Sequence, residues 1–172
     1  MKNVSFRADV LPLKDMLFRL ALRITLNRAE AEDIVQETMI RVWNRREQWN
    51  ELDSIEAFTT TICRNLALDR QKLRDNQSLT LTTDEHDTAD TSASANPEQQ
   101  AMASDRLALV RQLMDRLPEK QRTCMQLRDM EGRSYKEIAA VMGISEQQVK
   151  VNIFRARQAV KQQYLETEQY GL

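Results

Sequence analysis

The sequence predicts an all-α protein with two small helical domains joined by a flexible acidic linker, and three observations support this. Only three Gly and three Pro occur in the 172 residues. Apolar residues recur three and four positions apart along most of the chain, which is typical of amphipathic helices. Residues 75–105 contain seven acidic residues and no Lys or Arg. We therefore expect domains at residues 1–74 and 98–172, separated by a linker at 75–97 that is too polar to bury a core.

The composition argues against several classes of protein. The formal net charge of −1 argues neither for nor against nucleic acid. No apolar run approaches the ~18–20 residues that a membrane span needs, and the N-terminus lacks the apolar stretch of a signal peptide. Cys63 and Cys124 have no CxxC spacing, so we expect reduced thiols in a cytoplasmic protein. With no nucleophile–base pair, metal-ligand cluster or phosphate-binding loop visible, we expect neither an enzyme nor a cofactor.

Two amphipathic helices are predicted to open the first domain, at residues 11–26 and at about 29–45, because Asn27 and Arg28 interrupt the apolar pattern. The predicted core residues are Leu13, Leu17, Leu20, Ala21 and Ile24 in the first helix and Ala31, Ile34, Val35, Thr38 and Val42 in the second. Residues 46–53 are expected to form a polar loop. Trp43 and Trp49 are either core anchors or contact residues.

The polar face of the second helix contains one apolar residue among charged and amide side chains. Its members are Asp33, Gln36, Glu37, Ile40, Arg41 and Asn44. An exposed apolar residue in such a setting can mark a docking surface, although single exposed apolar residues are also common on solvated helices. The residues alone leave both interpretations open.

A long third helix is predicted from Ser54 to about Arg74, because Asp53 and Glu56 have the spacing of a capping box. Its inward residues would be Ile55, Phe58, Ile62 and Leu66, and its second half carries a basic, amide-bearing surface of Arg64, Asn65, Arg70, Lys72 and Arg74. Interaction with the helix dipole accounts for the last two of these residues better than for Arg64 and Asn65.

The second domain is predicted to begin with a helix near Pro97, followed by a second helix from Pro118 to Met130, since Pro suits the first turn of a helix. The first of these helices would bury Leu107, Val110, Leu113, Met114 and Leu117, and the second would bury Cys124, Met125 and Leu127.

Residues 134–161 have the pattern of a helix-turn-helix. Ser134 and Glu137 have capping-box spacing, and Ser145 and Gln148 repeat it. Gly143 suits the left-handed backbone that ends a helix. The predicted helices run from about Tyr135 to Met142 and from Ser145 onward, with Ile138, Ala139 and Met142 packed against Val149 and Ile153 and with the tail after Tyr164 frayed.

The exposed face of the second of these helices has the chemistry that DNA reading requires. It carries Gln147, Gln148, Lys150, Val151, Asn152, Arg155 and Arg157. Arg and Lys neutralise phosphates or donate to guanine edges, and Asn and Gln pair with adenine edges. A solvated helix in a three-helix bundle would share part of this pattern, so the residues favour DNA binding without requiring it.

Three segments in this order resemble the extracytoplasmic-function (ECF) sigma factors of the sigma-70 family. Residues 31–43, AEDIVQETMIRVW, resemble the family's region 2.2. Residues 57–70, AFTTTICRNLALDR, are similar to regions 2.3 and 2.4, and residues 117–157, which begin LPEKQR, resemble region 4. The match covers most of residues 11–162.

The resemblance implies a protein that binds core RNA polymerase and promoter DNA and performs no bond chemistry. Docking on the coiled coil of the β′ subunit would fall to Asp33, Gln36, Glu37, Ile40 and Arg41. Arg64, Asn65 and Arg70 would contact the −10 element, residues 44–53 would form a pocket for a flipped-out base, and the helix-turn-helix residues named above would read the −35 element. Family members are usually held inactive by an anti-sigma factor, so such a partner is also implied.

Two other functions compete with this interpretation. A stand-alone helix-turn-helix transcriptional regulator would explain residues 98–162 but would leave the face at residues 33–41 without a role. A sigma-like decoy that binds an anti-sigma factor and not DNA is disfavoured by the basic residues Lys150, Arg155 and Arg157.

Overall fold

The computed structural model describes residues 3–78 and 97–169, called here the first half and the second half, and the side chains of residues 3–76 and 104–169. All regular structure within these ranges is helical, so the predicted all-α class is confirmed. The α-helices are α1 (Lys14–Thr25), α2 (Arg28–Asn44), α3 (Ile55–Ser78), α4 (Pro97–Asp115), α5 (Glu119–Met125), α6 (Tyr135–Met142) and α7 (Glu146–Gln169). Short π or 3₁₀ turns lie at Phe6–Val10, Leu11–Leu13, Arg46–Glu51 and Gln126–Met130. Residues 79–96, most of the predicted linker, lie outside the described residues.

The first half is a three-helix unit in which α1, α2 and α3 pack around an apolar core. Every predicted core residue of α1 and α2 is buried. The helix α1 ends because Leu26 adopts a left-handed backbone with φ 56°, and its amide donates to the Leu22 carbonyl at 2.8 Å. Asn27 then caps α2 by accepting from the Glu30 amide at 3.0 Å. The predicted break between the two helices is therefore confirmed, although the left-handed residue is a Leu rather than a Gly.

Two local predictions for the first half are wrong, those for residues 46–53 and for the end of α3. Residues 46–53 are not simply a polar loop, because Arg46–Glu51 form a 3₁₀ helix that buries Trp49, whose indole nitrogen donates to the Val42 carbonyl at 3.0 Å. At the start of α3, the Ala57 amide donates to the hydroxyl of Ser54 at 3.1 Å, so Ser54 takes part in capping this helix. The helix α3 also continues to Ser78, because Arg74 is held by the Glu30 carboxylate and the Thr25 carbonyl.

The second half has a smaller core of its own. Its buried residues are Leu113, Met114, Leu117, Met125, Ala156 and Val160. Leu107 is 40% exposed, contrary to prediction, because α4 begins to pack on this core at Leu109 and Val110 and is fully buried in it at Leu113 and Met114. Pro118 precedes α5 as its N-cap residue, one position before the predicted first turn. The helix α7 continues to Gln169, so the predicted fraying after Tyr164 is also wrong.

The two halves pack against each other through α1 and α3 on one side and α5 and α6 on the other. Leu127, Ile138 and Val141 of the second half belong to the same buried cluster as Leu17 and Ala67 of the first. The larger apolar core of the described chain is therefore shared between the halves.

Candidate nucleic-acid interface

The helix-turn-helix forms with Ser134 and Ser145 as caps, as predicted, and the reciprocal capping-box bond forms at Ser145. The Ser134 hydroxyl accepts from the Glu137 amide at 3.1 Å. The Ser145 hydroxyl accepts from the Gln148 amide at 3.1 Å, and Gln148 Oε1 accepts from the Ser145 amide at 3.0 Å, which completes a capping box. Gly143 ends α6 with φ 67°, and its amide donates to the Ala139 carbonyl at 2.9 Å. These local bonds fix the turn between α6 and α7.

Packing between α6 and α7 decides which side of α7 faces outward. Ile138 and Met142 of α6 and Val149 and Ile153 of α7 are all buried. Residues of α7 that lie on the opposite side of the helix are consequently presented to solvent.

An open groove runs between the outer side of α7 and the start of α5. Five predicted DNA-contact residues line it, together with Ile144 and Lys120; the five are Gln147, Gln148, Val151, Asn152 and Arg155. Two cations, three amides and two apolar side chains match the donors, acceptors and methyl groups that base edges and phosphates present in a major groove. Lys120 was missed from the sequence because it lies on a different helix, and only the packing of α5 beside α7 brings it to the groove.

Gln148 and Asn152 are hydrogen-bonded within α7 and its cap, whereas the other two predicted residues, Lys150 and Arg157, contact side chains of other elements. The Lys150 ammonium lies 5.3 Å from the centre of the Tyr135 ring, and the Arg128 guanidinium lies 4.1 Å from it. Arg157 donates from Nε to Asp129 Oδ2 at 2.9 Å, and this hydrogen bond raises the pKa of Arg157. Lys150 therefore extends over the Tyr135 ring, and Arg157 points to the carboxylate of Asp129.

The predicted docking residues of α2 lie together on one face of the helix. Asp33, Gln36 and Arg41 are exposed, Glu37 is half-buried, and Ile40 is 59% exposed. Arg41 donates to Glu37 at 2.8 Å. The face therefore presents two carboxylates, an amide and a guanidinium around an apolar side chain in contact with solvent.

The three residues predicted for the −10 element are not brought to one surface. Asn65 is exposed on α3. Arg64 is buried between the halves, where its Nε and Nη2 donate to the two carboxylate oxygens of Glu119, each at 3.0 Å. Arg70 turns toward α2, with its guanidinium 4.0 Å from Asp33 and 3.8 Å from Glu37.

An aromatic cluster lies beside the segment predicted to hold a flipped-out base. Trp43 is 45% exposed, Phe6 packs on it edge-to-face with ring centres 5.4 Å apart, and the Arg46 guanidinium lies 4.7 Å from the Trp43 ring. Trp49 forms the buried side of the cluster. Phe6 was missed because nothing in the pattern of the first ten residues connects it with Trp43.

The buried thiols lack the properties of a reactive site. Burial raises the pKa of Cys63 to about 12 and that of Cys124 to about 11, so both stay protonated at neutral pH. Across the described ranges no group of three or more His, Cys, Asp or Glu side chains has the arrangement of a metal site. None of the described helices is long and apolar enough to cross a membrane.

Comparison with protein families gives two matches in the predicted order. The model for sigma-70 region 2 matches residues 10–78, and the model for sigma-70 region 4 matches residues 107–160. The first match covers α1 to α3, and the second ends within α7 and includes the helix-turn-helix.

Curated relatives are RNA polymerase sigma factors, among them factors named as ECF type. The chain is 34% identical to SigE of Mycolicibacterium smegmatis over 86% of this chain and 56% of that protein. It is 31% identical to the probable sigma factor RfaY of Xanthomonas campestris pv. campestris over 86% of this chain and 37% of that protein. It is 31% identical to SigL of Mycobacterium tuberculosis over 85% of this chain and 81% of that protein. The chain thus spans about half or less of the first two relatives and most of the third.

Two solved structures share the fold. One is the sigma factor RpoE in complex with the anti-sigma factor NepR from Bartonella quintana, with a TM-score of 0.71, 24% identity, and coverage of 91% of this chain and 94% of that chain. The other is CnrH in complex with the cytosolic domain of CnrY, with a TM-score of 0.65, 21% identity, and coverage of 90% and 84%. At these identities the likeness concerns the fold. The ordered pair of family matches and the 31% identity with SigL show the family: this chain belongs to the ECF sigma factors of the sigma-70 family.

Proposed function

We propose that this protein is an RNA polymerase sigma factor of the ECF type, which binds core RNA polymerase and directs promoter-specific initiation. The observation that carries the proposal is the groove on α7, where Gln147, Gln148, Asn152 and Arg155 line one exposed surface with Lys120. A capped helix with amides and cations on its outer side can enter the major groove and read base edges there. We assign the −35 element to this groove and to Lys150, whereas Arg157, which the sequence also predicted for this set, is held by Asp129 and contributes mainly to stability.

We assign polymerase docking to the α2 face formed by Asp33, Gln36, Glu37, Ile40 and Arg41. Support comes from the exposure of Ile40, since apolar side chains ringed by charges are typical of the centre of a small interface. The two carboxylates would face basic side chains of the polymerase, and electrostatic attraction of this kind raises association rates.

We assign the −10 element to Arg64, Asn65 and Arg70 in the first half, with Trp43 and residues 44–53 at the flipped base. Asn65 is accessible, and the contacts of Arg70 with the α2 carboxylates, at 3.8–4.0 Å, are long enough to exchange for phosphate contacts. An exposed Trp ring with a guanidinium beside it can stack on an extruded base.

These assignments give each half of the chain a separate role. Residues 1–74 would dock on the polymerase and read the −10 element, residues 98–172 would read the −35 element, and residues 75–97 would connect them. The protein would act in the cytoplasm without a cofactor, and the polymerase would carry out all bond chemistry. An anti-sigma factor is the proposed regulatory partner.

The test is whether purified protein co-elutes with core RNA polymerase and directs transcription from a genomic DNA library. We expect stoichiometric co-elution and transcripts with discrete start sites, which share two sequence elements upstream. Duplex binding without polymerase association would instead identify a stand-alone helix-turn-helix regulator. Association with an anti-sigma factor but with neither polymerase nor DNA would identify a decoy.

A further inference from the structure

The residues ahead of α1 are anchored on the first half at both ends of a short turn. This turn, Phe6–Val10, is called here the N-terminal turn. At its start the Ser5 amide donates to Asp9 Oδ2 at 2.8 Å, and the Asp9 amide donates to the Ser5 carbonyl at 2.8 Å. At its end Val10 is fully buried in an apolar cluster of the first half. These two attachments fix the place of Phe6.

Phe6 contacts both of the two tryptophans in the chain. Its ring centre lies 5.4 Å from that of Trp43, with the ring planes at 78°, and 6.3 Å from that of Trp49, with the planes at 11°. The two tryptophan rings are 6.1 Å apart at 67°. The rings of Phe6 and Trp49 are therefore nearly parallel, and the Trp43 ring stands steeply against both. Edge-to-face contacts are favourable and directional, so they limit how the Trp43 ring can rotate.

Trp43 keeps an accessible ring within this packed cluster. It is 45% exposed, whereas Trp49 is 7% exposed. The indole nitrogen of Trp49 donates to the Val42 carbonyl, but that of Trp43 has no hydrogen-bond acceptor among the described residues. Packing alone accounts for Trp49 and leaves the exposed ring surface and the free donor of Trp43 without a use.

Positive charge surrounds the exposed ring. The Arg46 guanidinium lies 4.7 Å from the centre of the Trp43 ring, and the Arg45 guanidinium lies 6.0 Å from that of Phe58. Within the described ranges neither arginine forms an ion pair with a carboxylate. A nucleotide matches this setting, since its base can stack on the indole and its phosphate can accept from a guanidinium. A protein segment would have to bring carboxylates of its own.

We propose that Phe6 is a positioning residue for base stacking: from the N-terminal turn it holds the Trp43 ring in the orientation that receives an unpaired base of the −10 element. A ring that is fixed before binding loses little conformational freedom when the base arrives, so the whole stacking energy is available for affinity. The proposal rests on the proposed sigma function and on the placement of the flipped base beside Trp43. The orientation of Trp43 by Phe6 depends on neither.

Three variants separate the ring of Phe6 from its apolar volume. Phe6→Leu removes the ring and keeps an apolar side chain, whereas Phe6→Tyr keeps the ring. The matched control is Phe18→Leu. Phe18 is also half-buried and also has a guanidinium near its ring, that of Arg28 at 5.8 Å, but it lies on α1.

The first measurement is near-ultraviolet circular dichroism of the free, full-length proteins. The signal near 290 nm arises from tryptophans held in fixed surroundings, and the chain has two. We expect Phe6→Leu to lower this signal by about half, because one of the two indoles loses its fixed contact. Phe6→Tyr and Phe18→Leu should keep the signal of the wild type. An unchanged signal in Phe6→Leu overturns the positioning role.

The second measurement is binding of holoenzyme to a single-stranded non-template oligonucleotide that spans the −10 element. Each base in turn is replaced by an abasic site. In the wild type, loss of the stacked base should weaken binding by about 5- to 150-fold. Trp43→Ala identifies that position, because it abolishes the dependence on the base.

Phe6→Leu should bind the intact oligonucleotide more weakly than the wild type and should lose less than about twofold more at the abasic position. Phe6→Tyr and Phe18→Leu should show the full dependence of the wild type. A purely structural effect of Phe6→Leu would lower the affinities for the intact and the abasic oligonucleotide alike, and that result would overturn the positioning role.

The remaining outcomes distinguish this proposal from the proposed function. If Phe6→Leu and Trp43→Ala weaken binding to core RNA polymerase and leave oligonucleotide affinity unchanged, the aromatic cluster belongs to a protein interface and base stacking is overturned. A wild-type holoenzyme that binds the oligonucleotide without dependence on any single base overturns stacking and leaves the sigma assignment intact. Failure of the wild type to bind core overturns the proposed function and the stacking role together.

Discussion

Arg155 and Arg157 lie two residues apart on α7, and the structure predicts opposite consequences for their replacement by Ala. Arg155 lines the groove, and no hydrogen bond or ion pair holds it among the described residues. Arg157 is bonded to Asp129 through both Nε and Nη2. We therefore expect Arg155→Ala to weaken DNA binding and Arg157→Ala to affect mainly stability.

The magnitudes separate the two variants. A bidentate contact from Arg155 to guanine is worth about 1–3 kcal/mol, a loss of about 5- to 150-fold in affinity. A contact to phosphate costs less and reduces the slope of affinity against salt by about 1. The Arg157–Asp129 pair has side chains 51% and 26% exposed, so screening limits its contribution to stability to about 0.2–1 kcal/mol.

The assay measures the affinity of each variant for a −35 duplex by fluorescence anisotropy at two salt concentrations. The duplex is first selected from a random library by wild-type holoenzyme. Urea unfolding of each variant, followed by circular dichroism, provides the control for stability. Equal affinity losses for the two variants would refute the reasoning, because they would show that the Asp129 contact does not decide which arginine reaches DNA. An unchanged affinity for Arg155→Ala would remove that residue from the contact set.

Three further predictions concern docking, the core and the turn. Glu37→Lys should reduce co-elution with core polymerase, whereas Glu166→Lys, at an exposed position on α7, should not. Retained co-elution of the first variant would contradict the docking assignment. Trp49→Ala should lower the free energy of unfolding by about 3–5 kcal/mol, because the ring is buried and its nitrogen is hydrogen-bonded. Trp43 is half-exposed, so Trp43→Ala should lower it much less. Urea unfolding followed by circular dichroism compares the two variants, and equal losses of stability would show that burial of Trp49 does not determine its contribution. Gly143→Ala should cost about 1–2 kcal/mol by the same measurement, from backbone strain alone, since no neighbouring atom lies within 4 Å of the added Cβ; a larger loss would indicate a steric clash.

Elements held by short-range bonds were predictable from sequence. The helix-turn-helix is specified by Ser134, Gly143 and Ser145 together with Gln148, all of which act within four residues of their partners. The apolar stripes of α1 and α2 were predictable for the same reason, since helical periodicity is a property of consecutive residues. Burial of Trp49 was not, because it depends on a contact with Val42 and Phe6 that no local pattern encodes.

The sequence by itself determined the helical class, the order of the two regions, the turn of the helix-turn-helix and the outward side of α7. Only the tertiary structure decided that Lys120 joins the groove, that Arg157 is held by Asp129, and that Arg64 lies against Glu119. The physical reason is the distance along the chain: Arg64 and Glu119 are 55 residues apart in sequence. Hydrogen bonds and ion pairs between residues so far apart in sequence depend on how whole helices pack against each other. The spacing of nearby residues carries no information about that packing.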